Sequence, residues 1–156
     1  MQVIEESEQA GKYDVIDFHA GHLIDFHDGN FSGIQSLHNG TVLLWCSTVF
    51  ANAYVLKVPE VKNLVLQGFR LGNAIFAVNV YEPKACPPSL FAKVSGLEGD
   101  YWQEKLAENF AKFLKTNGFL LEIVTSTGCD LLLLSTALPQ AIEKEIVKQK
   151  SNPTRL

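Results

Sequence analysis

Aspartate and histidine recur at a fixed spacing near the N-terminus of this 156-residue chain. The segments Ile16–Gly21 and Ile24–Gly29 repeat the pattern Ile-Asp-Phe-His-x-Gly at an offset of eight residues. In an extended strand the Ile and Phe side chains face one side, and the Asp and His side chains face the other. Carboxylate and imidazole groups are ligands for Zn²⁺ and Mn²⁺, so the polar side is a candidate metal site. The candidate ligands are Asp17, His19, Asp25 and His27.

The loop between the two repeats decides whether the carboxylates face each other. A three-residue loop, Ala20–His22, keeps the apolar side chains on one face and sets Asp17 opposite Asp25, whereas a two-residue loop spoils that segregation. Facing carboxylates repel unless water or a cation separates them, and a divalent ion with an open coordination position supports hydrolysis. The same face is also typical of a solvated polar surface, which we favour because HExxH and Cys/His spacings are absent, or of a protein contact.

Other candidate chemistry carries weaker signals. Cys129 could act as a nucleophile with a distant His, but no oxyanion motif surrounds it, so we interpret it as a small residue at a turn. Segment 68–73 lacks the glycine pattern of a phosphate-binding loop, and we interpret it as a hairpin with Arg70 at its solvated tip. We expect a sheet to take up Trp45, Phe50 and Tyr54, and the core or its rim to take up Tyr101 and Trp102.

Composition is typical of a single globular domain. The chain is 47% hydrophobic and 19% charged, with a formal net charge of −4 and a pI near 5.5. That balance argues against disorder and against a broad nucleic-acid-binding surface. Three cysteines without a CxxC pair argue against a disulfide scaffold and favour a reducing, cytoplasmic location. The acidic first ten residues lack the basic start of a secretory signal.

Charge is unevenly distributed along the chain. No Lys or Arg occurs between Lys12 and Lys57, and residues 29–56 carry no formal charge, which suits a paired strand edge or an interface. Polar residues interrupt this apolar stretch, so we do not expect it to span a membrane. The expected organisation is a flexible acidic N-terminal segment at 1–12, one domain at 13–148 and a flexible basic tail at 149–156.

Alternating and β-branched segments predict strands through most of the chain. Asn39-Gly40 lies between two such segments and predicts a hairpin closed by a type I′ turn, in which both residues take positive φ. The segment Leu131–Leu134 is apolar at every position, which is typical of a strand covered on both faces. The predicted strands are 13–18, 23–27, 31–38, 41–47, 53–58, 63–69, 74–81, 119–125 and 130–136.

Helical periodicity occurs only in the C-terminal half. One apolar stripe predicts a helix over 100–117, with Asp100 and Gln103 forming a capping box at its start, and a second stripe predicts a helix over 137–148. The Pro- and Gly-rich segment 82–99 is expected to be a loop with at most one short turn. These elements predict an α+β fold, with a mostly antiparallel sheet of about seven to nine strands covered on one face by the two helices.

From about residue 22 to residue 148, the predicted strands and helices follow a distinct order. A meander of strands is followed by an amphipathic helix at 106–114, strands at 119–125 and 131–134, and a helix that contains 142–146. This order, together with the apolar strand that carries Trp45, resembles the small proteasome assembly chaperones of the third and fourth types. The resemblance implies pairing with a sister chaperone and transient holding of proteasome α-subunits, without catalysis or cofactor.

Two functions from different classes follow. The first is a non-enzymatic protein-interaction module acting as part of a hetero- or homodimer, because a full-sized sheet is combined with little convergent polar chemistry. The second is a metal-dependent, hydrolase-like enzyme that uses the Asp/His face of the 13–29 hairpin. We expect the first, with protein partners, without nucleic acid or membrane, and without a cofactor.

Overall fold

The computed structural model describes the backbone of residues 12–13, 16–19, 22–136 and 140–143, and the side chains of residues 25–136. These residues form an antiparallel sheet with two helices packed on it, so the predicted α+β fold is confirmed. The strands are β1 (Lys12–Tyr13), β2 (Ile16–His19), β3 (His22–Ile24), β4 (Asn30–Ser36), β5 (Val42–Ser47), β6 (Ala53–Val58), β7 (Val61–Gln67), β8 (Asn73–Tyr81), β9 (Phe119–Thr125), β10 (Asp130–Ser135) and β11 (Gln140–Glu143). The helices are α1 (Pro88–Ser95) and α2 (Gln103–Leu114).

Nine of these strands belong to one sheet. Its order is β11-β6-β5-β4-β8-β9-β10-β7, with β1 paired to β8, while β2 and β3 form a separate hairpin. Every pairing is antiparallel. The seven predicted strands from 31–38 to 130–136 all lie in this sheet. The predicted strands 13–18 and 23–27 correspond to β1, β2 and β3, of which only β1 joins the sheet, and residues 25–27 lie in no strand. Lys12, expected in the N-terminal segment, belongs to β1.

The sheet curls because two strands that lie far apart in its order are joined by only two residues. Pro59 and Glu60 join β6 to β7, yet β6 pairs with β5 and β11, and β7 pairs with β10. Two linking residues bridge at most about 11 Å, so the two regions of the sheet must approach each other. The Ser135 hydroxyl donates to the Pro59 carbonyl at 2.6 Å, and the Val61 N–H donates to the Gly40 carbonyl at 2.9 Å. These two hydrogen bonds hold the link between β6 and β7 in place.

The curled sheet separates two apolar cores. Inside the curl, side chains of six strands pack together, among them Leu44, Leu56 and Ile123, each fully buried. On the outer face of β9 and β10, Leu120 and Leu132 pack beneath the helices. β10 contributes alternate leucines to both cores, so the prediction of a strand covered on both faces is confirmed.

Helix α1 lies in the segment that was expected to be a loop, and that expectation was wrong. Pro88 begins the helix, where a missing N–H costs little, and Gly96 follows its end with φ +68°. Eight residues form a marginal helix in isolation, so packing must supply its stability. Phe91 provides that packing, because its buried ring stacks on Phe113 with centroids 5.0 Å apart.

Helix α2 occupies the predicted region but begins and packs differently. Gln103 donates to the Asp100 side chain at 3.2 Å, while no side chain caps the backbone, so the capping box does not form. Phe113 is buried, Leu106 and Phe110 are half-buried, and Ala107 and Leu114 from the predicted stripe are exposed. Because α2 rests on α1, only one side of its stripe meets the core, and Ala107 and Leu114 on the other side of the stripe stay exposed.

The predicted C-terminal helix is wrong at the four residues of that region that the structure describes. Gln140–Glu143 form β11, which pairs with β6 so that Ile142 lies opposite Val55. The spacing of Ile142 and Ile146 suits a helix, but β6 offers an edge whose backbone groups β11 satisfies. Residues 137–139 and 144–148 of that prediction, and the predicted tail at 149–156, lie outside the described residues.

The hairpin at Asn39-Gly40 is confirmed, but its turn type is not. Gly40 has φ +77°, whereas Asn39 does not take positive φ. The Gly40 N–H donates to the Leu37 carbonyl at 3.3 Å, and the Leu37 N–H donates to the Thr41 carbonyl at 2.8 Å. These bonds define a three-residue loop with glycine in the left-handed position.

Candidate functional site

The Asp/His repeat does not take the predicted register. β2 and β3 pair with Ile16 opposite Ile24 and His19 opposite His22, so two residues form the loop. Asp25 lies beyond the last paired position, and the prediction that Asp17 faces Asp25 is wrong. The physical reason is a turn directly after β3, in which Asp25 Oδ1 accepts the His27 N–H at 2.9 Å and bends the chain away from the ladder.

The polar groups of this turn interact locally. His27 Nδ1 lies 3.3 Å from Asp28 Oδ2, and both side chains are more than half exposed. Within the described residues, no three His, Cys, Asp or Glu side chains approach closely enough to hold a metal ion. The side chains of Asp17 and His19 fall outside the described residues, so the four-ligand site with Asp25 remains a prediction.

The three cysteines are buried free thiols. Burial raises the pKa of Cys46 to about 12, and burial together with the Glu122 carboxylate raises the pKa of Cys86 to about 12. Burial also raises the pKa of Cys129, whose N–H donates to the Thr125 hydroxyl at 2.9 Å and whose carbonyl accepts from it at 2.8 Å. Protonated thiols are poor nucleophiles, which agrees with the interpretation of Cys129 as a turn residue.

A polar cluster between β8 and β9 was missed at the level of sequence. The Asn79 amide donates to Glu122 Oε1 at 2.9 Å, and the Tyr81 hydroxyl donates to the same oxygen at 3.3 Å. Asn79 is buried, and its Oδ1 atom has no hydrogen-bond partner. Asn79 and Glu122 each interrupt an apolar strand in the sequence, and that interruption is the signal that could have identified the pair. The pair fixes the register of the two strands.

Two turns project from the same end of the sheet, which we call the loop end. The turns are Thr48–Asn52, between β5 and β6, and Gly68–Gly72, between β7 and β8. Asn30 pairs with Ser47 on one side and with Ala74 on the other, so the turns leave the sheet at a common level. β5 and β8 are two strand spacings apart, about 10 Å. The exposed large apolar side chains of the loop end are Val49, Phe50, Phe69, Leu71 and, at the start of β8, Phe76.

The Thr48–Asn52 turn carries its aromatic side chain in open solvent. Phe50 is 84% exposed, which corrects the expectation that this ring packs in the sheet. Three hydrogen bonds close the turn: Ala51 N–H to the Thr48 carbonyl at 2.9 Å, Thr48 N–H to the Asn52 carbonyl at 2.9 Å, and Asn52 N–H to the Thr48 hydroxyl at 3.3 Å. Ala51 has φ +62°, a left-handed conformation that costs a non-glycine residue about 1–2 kcal/mol.

The Gly68–Gly72 turn is braced from below by one buried amide. Asn73 is fully buried, accepts the Arg70 N–H at 2.9 Å and donates to the carbonyls of Phe31 and Arg70. The ring of Phe69 packs edge-on against buried Phe31 with centroids 5.4 Å apart. Leu71 is fully exposed at the tip, and Arg70 is solvated as expected. The turn therefore holds an apolar side chain outward on a fixed base.

Comparisons of the chain with protein-family models, with curated proteins and with solved structures found no match. Within the described residues, no helix combines the length and apolar character needed to cross a membrane.

The loop end was not identified from the sequence, because residue type alone does not show whether a Phe or Leu in a short turn packs inward or points into solvent. The usable signal was the apolar run in a turn position, Val49-Phe50-Ala51, where polar residues are usual.

Proposed function

We propose that this chain is a non-enzymatic protein-interaction module that binds a partner protein through the loop end. The observation that carries the proposal is the grouping of exposed apolar side chains on two hydrogen-bonded turns, Thr48–Asn52 and Gly68–Gly72. Single exposed apolar residues are normal on protein surfaces, whereas a group of them at one end of a domain is typical of a docking surface.

Preorganisation of the turns supports this function. A binding surface loses less conformational entropy on association when its backbone is already fixed. Here the turn hydrogen bonds hold Phe50, and buried Asn73 holds the base beneath Leu71. Burying either side chain against a partner contributes about 1.5–3 kcal/mol of favourable free energy to binding, and aromatic rings are frequent binding hot spots. Phe50 and Leu71 are therefore the proposed anchors.

The more specific form of the proposal follows the resemblance in element order. In that form the chain is an assembly chaperone, acts as one half of a heterodimer in the cytoplasm, and holds proteasome α-subunits transiently. The support for it is the part of that order that the structure retains, the meander of strands, the helix at 103–114 and the strands at 119–125 and 130–135. The helix expected to follow them is the strand β11 at 140–143 and does not support it.

The experiment is affinity capture of the full chain from its native cell type, with quantitative mass spectrometry. We compare the wild type with a Phe50→Ser, Leu71→Ser double variant, and expect the variant to lose a stoichiometric partner by about thirtyfold or more, the effect of removing one strong hot spot. Both side chains are exposed, so we expect thermal unfolding to be unchanged within about 0.5 kcal/mol.

Tyr101→Ser is the matched control. Tyr101 is 87% exposed, close to the 84% of Phe50, and lies in the 3₁₀ turn before α2 instead of at the loop end. We expect Tyr101→Ser to retain the partner. Equal recovery by the double variant and the wild type, or the absence of any stoichiometric partner, overturns the loop-end proposal. A recovered partner related to proteasome α-subunits or their chaperones supports the specific form, and any other partner overturns that form alone.

A further inference from the structure

A groove lies between the two helices and the strands β7 and β10, at the opposite end of the sheet from the loop end. Its volume is about 420 Å³. Buried Phe91, Leu97 and Phe113, together with half-buried Leu134, form an apolar floor. Lysines stand around this floor, from β7 at Lys62 and from α2 at Lys105 and Lys112. An apolar floor inside a charged rim is the arrangement that selects an amphipathic ligand.

The charge of the groove is opposite to that of the whole chain. The chain carries a formal net charge of −4, whereas the residues lining the groove include three lysines and no Asp or Glu. Lys112 Nζ lies 3.0 Å from Glu108 Oε1, an exposed pair that lowers the pKa of Glu108. Among the described residues, neither Lys62 nor Lys105 lies within ion-pair distance of a carboxylate, although the charge of Lys105 also contributes to the lowered pKa of Glu108. Two lysines are thus available to an anionic ligand.

Polar side chains that line the groove can bond to a peptide backbone. Ser95 from α1, Asn109 from α2 and Asn63 from β7 line the groove. An amide such as Asn offers both a donor and an acceptor, which matches the two groups of each peptide unit. A polypeptide segment uses this lining more fully than a compact anion does.

We propose that this groove binds an acidic segment of a partner protein, which inserts one or two large apolar side chains onto the floor of Phe91, Phe113 and Leu134. The carboxylates of the segment pair with Lys62 and Lys105 at the rim. This surface is separate from the loop end, so the inference stands independently of the proposed function. The assignment to an acidic partner rests on charge complementarity between the rim and the segment.

The test uses the full chain and a short fluorescein-labelled peptide composed of Glu, Leu and Phe. Fluorescence anisotropy is expected to show saturable binding that weakens as NaCl is raised, because salt screens exposed charge pairs. The double variant Lys62→Glu, Lys105→Glu is expected to bind about tenfold more weakly or worse. Both residues are exposed, so circular dichroism and thermal unfolding are expected to match the wild type.

Matched controls separate the proposed site from general charge attraction. Lys57→Glu changes an exposed lysine of β6 outside the groove and is expected to leave binding unchanged. A peptide in which Ser replaces Leu and Phe tests the apolar floor and is expected to bind at least about tenfold more weakly. A peptide in which Lys replaces Glu is expected not to bind.

Three results overturn the proposal. The first is equal peptide affinity of the Lys62→Glu, Lys105→Glu double variant and the Lys57→Glu control. The second is equal binding of the Leu/Phe and Ser peptides, which reduces the interaction to charge alone. The third is binding that occurs only after Glu5, Glu6 and Glu8 of the full chain are replaced by Gln, which assigns the groove to the chain's own acidic N-terminal segment.

Discussion

Two turns at opposite ends of β5 share one backbone geometry and carry opposite chemistry. In each, a three-residue loop is closed by the same pair of backbone hydrogen bonds, and its third residue has positive φ: Gly40 at +77° in one and Ala51 at +62° in the other. The first loop is His38-Asn39-Gly40, and the second is Val49-Phe50-Ala51. Backbone geometry does not require apolar residues there, which supports the proposed docking role of the second turn.

The largest expected contrast concerns the apolar residue that lies beneath or beside each turn. Phe31 is fully buried beneath the loop end and contacts Phe69, whereas Leu37 beside the polar turn is 37% exposed. We expect Phe31→Ala to lower the free energy of unfolding by about 3–5 kcal/mol, because it leaves a cavity, and Leu37→Ala to lower it by less than about 1 kcal/mol. Urea unfolding of both variants measures this contrast. Equal losses would show that the apolar turns do not stand on the core.

The next contrast concerns the polar side chains that brace the turns. Asn73 is fully buried and bonds to Arg70 and Phe31, while Asn39 accepts one partly buried N–H, from Thr41, at 3.1 Å. Asn73→Ala leaves buried backbone groups unpaired, so we expect a loss of about 1–3 kcal/mol, against about 0.5–1 kcal/mol for Asn39→Ala. Thermal unfolding gives both values. A smaller loss for Asn73→Ala than for Asn39→Ala contradicts the bracing described here.

Exchanging glycine and alanine at the third loop position tests the shared backbone directly. We expect Ala51→Gly to stabilise the chain by about 0.5–1 kcal/mol, since relief of left-handed strain exceeds the added entropy of unfolded glycine. Gly40→Ala is expected to destabilise it by a similar amount through strain alone, because the nearest atom to a new Cβ, the Val61 carbonyl oxygen, is 3.8 Å away. Chemical denaturation of the two variants should give shifts of opposite sign, and shifts of the same sign contradict a common geometry.

The smallest expected effect comes from Cys46, which lies on β5 between the two turns. Its folded pKa of about 12 exceeds the unfolded value of 9.0, so the folded state binds more protons between these values. The contribution of this thiol to stability is therefore fully present at pH 7, is lower by about 0.4 kcal/mol at pH 9, and is lost progressively as the pH rises towards 12. Comparing Cys46→Ala with the wild type at pH 7 and pH 9 isolates this contribution. An unchanged difference between the two proteins contradicts a closed environment around β5.

The sheet could be predicted from the sequence because its signal is local. The apolar segment 42–47 after the Asn39-Gly40 turn and the uniform leucines at 131–134 indicate strands from local sequence alone, whatever their partners are. Helix α1 could not be predicted, since its eight residues follow two prolines and depend on contacts of Phe91 with α2. β11 was missed because a helical spacing of Ile142 and Ile146 competed with a strand edge that only the folded sheet supplies.

The candidate surfaces were harder to predict than the fold. Phe50 and Phe31 are the same residue type, yet one is 84% exposed and the other fully buried, because one lies in a turn and the other lies in the curl of the sheet. The groove joins residues of four separate elements, which no local pattern connects. The Asp/His repeat, by contrast, was conspicuous in the sequence. Its predicted register was wrong because Asp25 and His27 form a turn directly after β3.

The passage through Pro59 and Glu60 has a consequence for biosynthesis. Only two residues separate β7 from β6, but the ladder partner of β7 is β10, in which Asp130 pairs with Gln67. During translation, the ladder of β7 therefore cannot form until more than half of the following chain has been made, and contacts of such long sequence separation form slowly. An unpaired strand with Leu64, Val65 and Leu66 in sequence is prone to aggregate over that interval. Nascent chains of this protein should depend on ribosome-associated chaperones until residue 135 has emerged.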